Sequence, residues 1–246
     1  DAEADAGVGD AVHRWILRGA GGAILYGVAL LGLGAALAAH MAGRRFSFVV
    51  ELMCSMAMAV AKAAVARAAF MVDVRLSREA KQVAGCWVRV VAVAKLLMAA
   101  SAFIGALVFA TLADEDYENV CFAEYLFRWA LLLALPLQCA SGTALFMLHV
   151  RSTRYAGGVS HFGGLAALLV LGNFASGAGV WWGGYLDAVH RLGPSVAASF
   201  LAAAGGQLTA GLALLLLNHR VRRHFSRARG SDDAVPPEQL GCAEEK

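Results

Sequence analysis

One apolar run, residues 46–72, is long enough to cross a bilayer and yet carries Glu51, Lys62 and Arg67 inside it. No other hydrophobic segment of the chain contains charges of both signs. Placing a charged side chain at the centre of a bilayer costs about 2.5 to 3.5 kcal/mol on insertion scales. We therefore expect the charged side chains of this helix to face other helices or a water-filled cavity, and we expect any functional site to lie along this helix.

The polar residues of this run follow the period of an α-helix. Glu51, Ser55, Met58 and Lys62 recur at i, i+4, i+7 and i+11, so they share one stripe, whereas Arg67 projects from nearly the opposite side. Glu51 and Lys62 are about 16 Å apart along the axis, which is too far for a direct ion pair. The spacing predicts that the stripe faces the protein interior and that each charge finds its own partner on another helix.

The composition of the chain is typical of an integral membrane protein. Of 246 residues, 59% are hydrophobic and only 16% are charged, and the mean hydropathy is +0.62. A soluble domain has about a quarter of its residues charged. The basic residues lie at the ends of apolar segments and not along one soluble face, so we expect the bilayer as a partner and no nucleic acid.

Six apolar segments predict an all-α, polytopic integral membrane protein, a bundle of six transmembrane helices. The predicted spans are residues 16–41, 46–72, 90–112, 125–150, 162–185 and 194–218. This gives a short N-terminal tail over 1–15, a transmembrane domain over 16–218, and a basic juxtamembrane segment with a disordered tail over 219–246.

The distribution of basic residues supports six spans. Thirteen Lys and Arg residues fall on one side of the predicted membrane and three on the other. The larger set is Arg14, Arg18, Arg75, Arg78, Lys81, Arg89, Arg151, Arg154, Arg220, Arg222, Arg223, Arg227 and Arg229; the smaller is Arg44, Arg45 and Arg191. The positive-inside rule then predicts that both termini are cytoplasmic and that the acidic loop 114–121 is outside.

Polar residues inside the spans form the candidate intramembrane site. Its members are Glu51, Ser55, Lys62, Arg128, Gln138, Asn173 and Gln207. Thr143 belongs with them if they converge on one cavity, and Lys95 lies near the start of its span, where its side chain is able to snorkel to the membrane surface. Arg128 lies at a depth that suits Glu51, so we expect these two residues to be in contact.

The histidines form two layers in the predicted topology. His40 and His190 lie at one face, and His149, His161 and His219 at the other. In this respect, and in the number of spans, the chain resembles the cytochrome b561 proteins, which implies a b-type haem protein. The haem ligands of that family lie inside the central helices, whereas these histidines lie at helix ends. We expect no bound cofactor and no metal.

Two short motifs resemble those of the rhomboid intramembrane proteases. They are the sequence ASG at residues 140–142 and the sequence SHFGGLAALL at residues 160–169. The resemblance covers about 13 residues and implies Ser141 as a nucleophile and His161 as its base. Rhomboids place a complete helix between the two motifs, whereas here 19 residues separate Ser141 from His161.

Three classes of function remain open. A structural or assembly role, in a homo-oligomer or with other membrane proteins, fits the many Gly, Ala and Ser residues and the lack of a catalytic constellation. A small-solute or ion transporter or channel fits the polar residues if they converge on one cavity. A haem protein or an intramembrane hydrolase rests on the two resemblances alone.

Overall fold

The chain is entirely helical in the residues that the structure, a computed structural model, describes. These are residues 2–41, 47–76, 81–82, 84–111, 132–155, 163–190 and 194–232. The six helices are α1 Ala2–Met41, α2 Ser47–Arg75, α3 Trp87–Thr111, α4 Ala134–Tyr155, α5 Gly163–His190 and α6 Pro194–Asp232. The all-α prediction is confirmed.

Five of these helices are long and apolar enough to cross a membrane. The apolar stretches are Val12–Ala39, Val49–Arg75, Trp87–Leu107, Gly163–Leu186 and Pro194–Arg220. Together they make the chain a multi-pass membrane protein. The remaining helix, α4, is described over 22 residues, and the start predicted for it near residue 125 lies outside the described part. A sixth span stays a prediction.

The helices form a closed ring in the order of the sequence. Each packs against the next, from α1 with α2 through α5 with α6, and α6 packs back against α1. Consecutive helices run antiparallel: between α1 and α2, for example, Gly19 approaches Ala68 and Gly32 approaches Cys54. A ring of this kind has one interior to which every helix can contribute a side chain.

Small residues set the close approach of neighbouring helices. A Cβ added to Gly172 of α5 would clash with the carbonyl oxygen of Gly206 of α6, and one added to Gly206 would lie 2.9 Å from the carbonyl oxygen of Gly172. Between α1 and α6, a Cβ at Gly27 would lie 2.7 Å from Leu208. These glycines are used for packing within the chain and not for a partner.

The two terminal helices are longer than predicted. Helix α1 begins at Ala2, where an exposed tail was expected over 1–15, and α6 continues to Asp232, beyond the expected end near residue 218. Both helices therefore extend beyond the apolar stretches Val12–Ala39 and Pro194–Arg220.

Two polar contacts join the helices at the face where α1 begins and α6 ends, which we call the basic face. His13 Nδ1 donates to Asn218 Oδ1 at 2.8 Å, and Arg89 Nε donates to Asp73 Oδ2 at 2.9 Å. The chain enters α3 through Gly85, whose φ of 59° is a left-handed conformation that favours glycine. These contacts fix the relative depth of α1 with α6 and of α2 with α3.

Two apolar clusters fill the ring at different depths. The larger lies toward the opposite face and includes Leu30, Met58, Val180 and Phe200. The smaller lies toward the basic face and consists of buried Leu169, Ala210 and Ala213 with two partly buried leucines. Five buried polar residues lie at a middle level between most of the two clusters, namely Lys62, Lys95, Gln138, Asn173 and Gln207.

Candidate functional site

The polar stripe of α2 faces the interior, as its spacing predicts. Glu51, Ser55, Met58 and Lys62 are exposed by only 5, 1, 7 and 1%. Arg67 is exposed on the outside of the ring. The helical period alone therefore separated the inward charges of this helix from the outward one.

Every helix of the ring contributes one buried polar residue at the middle level. We call this set the polar centre; it consists of Tyr26, Lys62, Lys95, Gln138, Asn173 and Gln207, from α1 to α6 in order. Tyr26 is exposed by 6% and the other five by at most 3%.

The depths of these residues agree with the contacts at the basic face. His13 touches Asn218, and Tyr26 and Gln207 lie 13 and 11 residues from that pair along their helices. At 1.5 Å per residue, the two side chains start within about 3 Å of the same level.

Lys95 is the hub of the hydrogen bonds in the polar centre. Its Nζ donates to Gln138 Oε1 at 2.5 Å and to Asn173 Oδ1 at 2.8 Å. Gln138 Nε2 in turn donates to Gln207 Oε1 at 3.3 Å. These three bonds join α3, α4, α5 and α6 through their side chains. Both acceptors of the ammonium group are neutral amides, so its charge is solvated but not neutralised.

Lys62 is held differently. Its Nζ lies 3.5 Å from the centroid of the Tyr26 ring, a cation–π contact between α2 and α1. Lys95 is close enough to repel it. Two ammonium groups are both donors only and cannot hydrogen-bond to each other, and Lys62 Nζ has no hydrogen-bond partner of good geometry among the described residues. A second lysine amine is therefore buried beside the first, with no hydrogen-bond acceptor among the described residues.

Three buried hydroxyl groups around the polar centre also lack a hydrogen-bond partner within the described part of the chain. They belong to Ser55, Ser141 and Ser176. Ser141 and Ser176 are fully buried and lie three residues beyond Gln138 and Asn173 on their helices. An unpaired buried polar group costs about 1 to 3 kcal/mol, so such groups are normally satisfied by water or by a ligand. The surroundings of the polar centre therefore contain hydrogen-bond donors that have no acceptor among the described residues.

A small cavity adjoins the polar centre on the side away from the basic face. It has a volume of about 40 Å³ and is bounded by Tyr26, Ser55 and Ser101 among mainly apolar side chains. At roughly 10 to 15 Å³ per water, it has room for about three water molecules. Glu51 lies one turn beyond Ser55 on α2, so polar groups continue from the cavity toward the opposite face.

The candidate residues predicted from sequence divide into three groups. Lys62, Gln138, Asn173 and Gln207 meet in the polar centre, and Ser55 borders the adjoining cavity. Glu51 is buried on the same stripe about 16 Å away along the axis. Arg128 lies outside the described residues, so its contact with Glu51 stays a prediction for a double-mutant cycle.

Two expectations about single side chains were wrong. Thr143 is exposed and does not face the polar centre. Lys95 does not snorkel to the membrane surface; it is 3% exposed and donates two hydrogen bonds inside the ring. Lys95 lies eight residues into α3, a depth that suits either a snorkelling or a buried side chain, so the sequence held no signal that separated the two.

Only some residues of the two resemblances lie in the part of the chain that the structure describes. Ser141 is buried between helices, while His161 lies outside the described residues. His219 is exposed at the basic face. No group of three His, Cys, Asp or Glu side chains that could hold a metal occurs among the residues that were described.

Comparison with protein-family models, with curated proteins and with solved structures finds no match. The class of the protein therefore rests on its own fold, which is that of a multi-pass helical membrane protein with a polar centre shared by six helices. Any narrower function has to be argued from the chemistry of that centre.

Proposed function

We propose that the protein transports a small anionic solute, with the polar centre as the binding site. The observation that carries this proposal is the pair Lys62 and Lys95, two buried lysines in contact range whose described partners are an aromatic ring and neutral amides. The polar centre contains no Asp or Glu, and Glu51 is about three turns from Lys62. A bound anion would supply the missing negative charge.

The hydrogen-bond donors in and around the polar centre suit an anion. Lys62 Nζ and the hydroxyl groups of Ser55, Ser141 and Ser176 have no described partner, and each can donate a hydrogen bond. Hydrogen bonds from a charged donor to an anion are about twice as strong as neutral ones. In the low dielectric of the ring interior, an anion would also reduce the repulsion between the two ammonium groups.

The apolar layers on both sides of the polar centre favour a transporter over an open channel. The cluster with Leu30, Val180 and Phe200 lies on one side and the cluster with Leu169 and Ala213 on the other. A solute held at the middle level reaches either face only if helices move apart on that side. Binding at mid-depth between two gates is the arrangement of alternating access.

The test is solute flux in proteoliposomes that contain the purified full-length protein. We expect flux of at least one small anion from a panel of halides, sulfate, phosphate and short carboxylates, and none of small cations. Lys62→Met and Lys95→Met should each reduce this flux at least ten-fold. Thr143→Val is the matched control, because this polar residue of α4 points away from the polar centre.

A structural or assembly role is the competing hypothesis. It predicts no flux of any panel member and a stable oligomer or complex that survives both lysine substitutions. Flux of cations but not of anions, lost in the lysine variants, would keep transport and refute the anionic substrate.

A further inference from the structure

A second cluster of positive charge lies at the basic face, between α1 and α2. The ring of Trp15 has three guanidinium groups around it: Cζ of Arg18 at 4.4 Å, Cζ of Arg67 at 5.7 Å and Cζ of Arg75 at 5.7 Å from its centroid. We call Trp15 with these three arginines the arginine cluster.

Close packing of α1 on α2 explains how the arginine cluster forms. A Cβ added to Gly19 would lie 3.3 Å from Cβ of Ala68, so the two backbones approach closely at this level. Arg18 precedes Gly19 on α1 and Arg67 precedes Ala68 on α2. Arg75 lies two turns further along α2 and reaches the same indole ring.

The charges of the arginine cluster are not balanced by the chain that the structure describes. Three guanidinium groups around one ring repel one another, and a cation–π contact at an exposed site returns only about 0.5 to 1 kcal/mol. No carboxylate pairs with Arg18, Arg67 or Arg75 among the described residues. Nη1 of Arg75 is moreover buried and has no hydrogen-bond partner among them. The cluster is therefore a concentrated set of donors that lacks an acceptor.

The depth of the arginine cluster coincides with the surface of a bilayer. Trp15 lies 11 residues from Tyr26, or about 16 Å along the axis, which is close to half of a hydrocarbon core of about 30 Å. Exposed apolar side chains, Leu17, Phe70 and Val74, lie on the same two helices near the cluster. A ligand there meets guanidinium groups at its polar end and apolar side chains along its length.

We propose that the arginine cluster binds the phosphate headgroup of an anionic phospholipid in the leaflet at the basic face. The planar guanidinium fork matches phosphate oxygens bidentately, and basic pockets between membrane helices bind anionic headgroups in the same way. A zwitterionic lipid brings its own positive charge and leaves the three arginines unbalanced. The site is separate from the polar centre and does not depend on the function proposed for it.

The experiment is native mass spectrometry of the purified full-length protein titrated with phosphatidylglycerol or phosphatidylcholine. We expect one phosphatidylglycerol to bind more tightly than phosphatidylcholine. Arg18→Gln and Arg67→Gln, on different helices, should each weaken phosphatidylglycerol binding about five-fold, the factor that corresponds to about 1 kcal/mol per basic residue. Arg220→Gln is the control, because Arg220 is exposed at the same face but lies on α6.

Three results would overturn the proposal. An equal loss in the Arg220 variant would mean general attraction to the basic face, and equal binding of phosphatidylcholine would mean no recognition of an anionic headgroup. Displacement of phosphatidylglycerol by millimolar inorganic phosphate would assign the cluster to a soluble phosphate. If either glutamine variant aggregates, Arg18→Lys keeps the charge but loses the fork, and unchanged binding in that variant would refute bidentate recognition.

Discussion

Replacing the two central lysines with methionine should change stability in opposite directions. Methionine keeps the length and flexibility of the lysine chain but carries no charge. Lys62 has one described contact with its ammonium group, the Tyr26 ring at 3.5 Å, whereas Lys95 donates two hydrogen bonds. We expect Lys62→Met to leave the protein as stable as before or slightly more stable, and Lys95→Met to destabilise it.

The expected magnitudes follow from these contacts. Burying either ammonium group costs about 2.5 to 3.5 kcal/mol, and both substitutions remove this cost and the repulsion between the lysines. Lys62→Met loses one desolvated cation–π contact, which is worth about 2 kcal/mol. The free energy of unfolding should therefore rise by about 1 kcal/mol.

At Lys95 the loss is larger. Two hydrogen bonds from a charged donor are worth about 3 to 6 kcal/mol together, and the amide oxygens of Gln138 and Asn173 lose their shared donor. The net loss is about 2 kcal/mol.

The assay is thermal unfolding of the two purified variants in one detergent and one buffer without added small anions. A difference of about 3 kcal/mol between them corresponds to roughly 6 to 12 °C in Tm for a chain of this size. The order is the important result: Lys62→Met should unfold at a higher temperature than Lys95→Met. Equal Tm values, or the reverse order, would refute the assignment of Lys95 as the hub of the hydrogen bonds.

Two further predictions concern helix packing and topology. A Cβ at Gly177 would lie 2.6 Å from Cβ of Gln138. Gly177→Ala should therefore push α4 away from α5 and lower the free energy of unfolding by about 1 to 3 kcal/mol. Thermal unfolding measures this change, and an unchanged Tm would contradict the packing. Cys121 should react with an impermeant thiol reagent added outside and Cys242 only after permeabilisation, and the opposite pattern would reverse the predicted orientation.

The fold was largely predictable because a bilayer leaves few choices. Apolar segments of spanning length must be helical to satisfy their backbone groups. Each of the six predicted segments corresponds to a helix, and five of these helices are long and apolar enough to span a membrane. The ends of α1 and α6 were not predicted, since polar helical extensions carry no hydropathy signal. The closed ring was not predicted either, because contacts between α1 and α6 depend on packing that a single sequence does not reveal.

The site was predictable only within each helix. Helical period placed Ser55 and Lys62 on one inward stripe, and the polar character of Gln138 and Asn173 identified them as candidates. The role of Lys95 could not be deduced, because its distance from the helix start suits either a snorkelling chain or a buried one. Which of the two occurs depends on the acceptors that α4 and α5 present at the same depth.

Binding of small anions to the purified protein tests the central claim most directly. Thermal unfolding with and without each anion of the panel should show that at least one raises the Tm; at ten times its Kd, mass action supplies about 1.4 kcal/mol, or roughly 3 to 6 °C. This shift should vanish in Lys62→Met, which is itself expected to be stable, and persist in Thr143→Val. If no anion raises the Tm, or if Lys62→Met responds as the unsubstituted protein does, the polar centre is not an anion site.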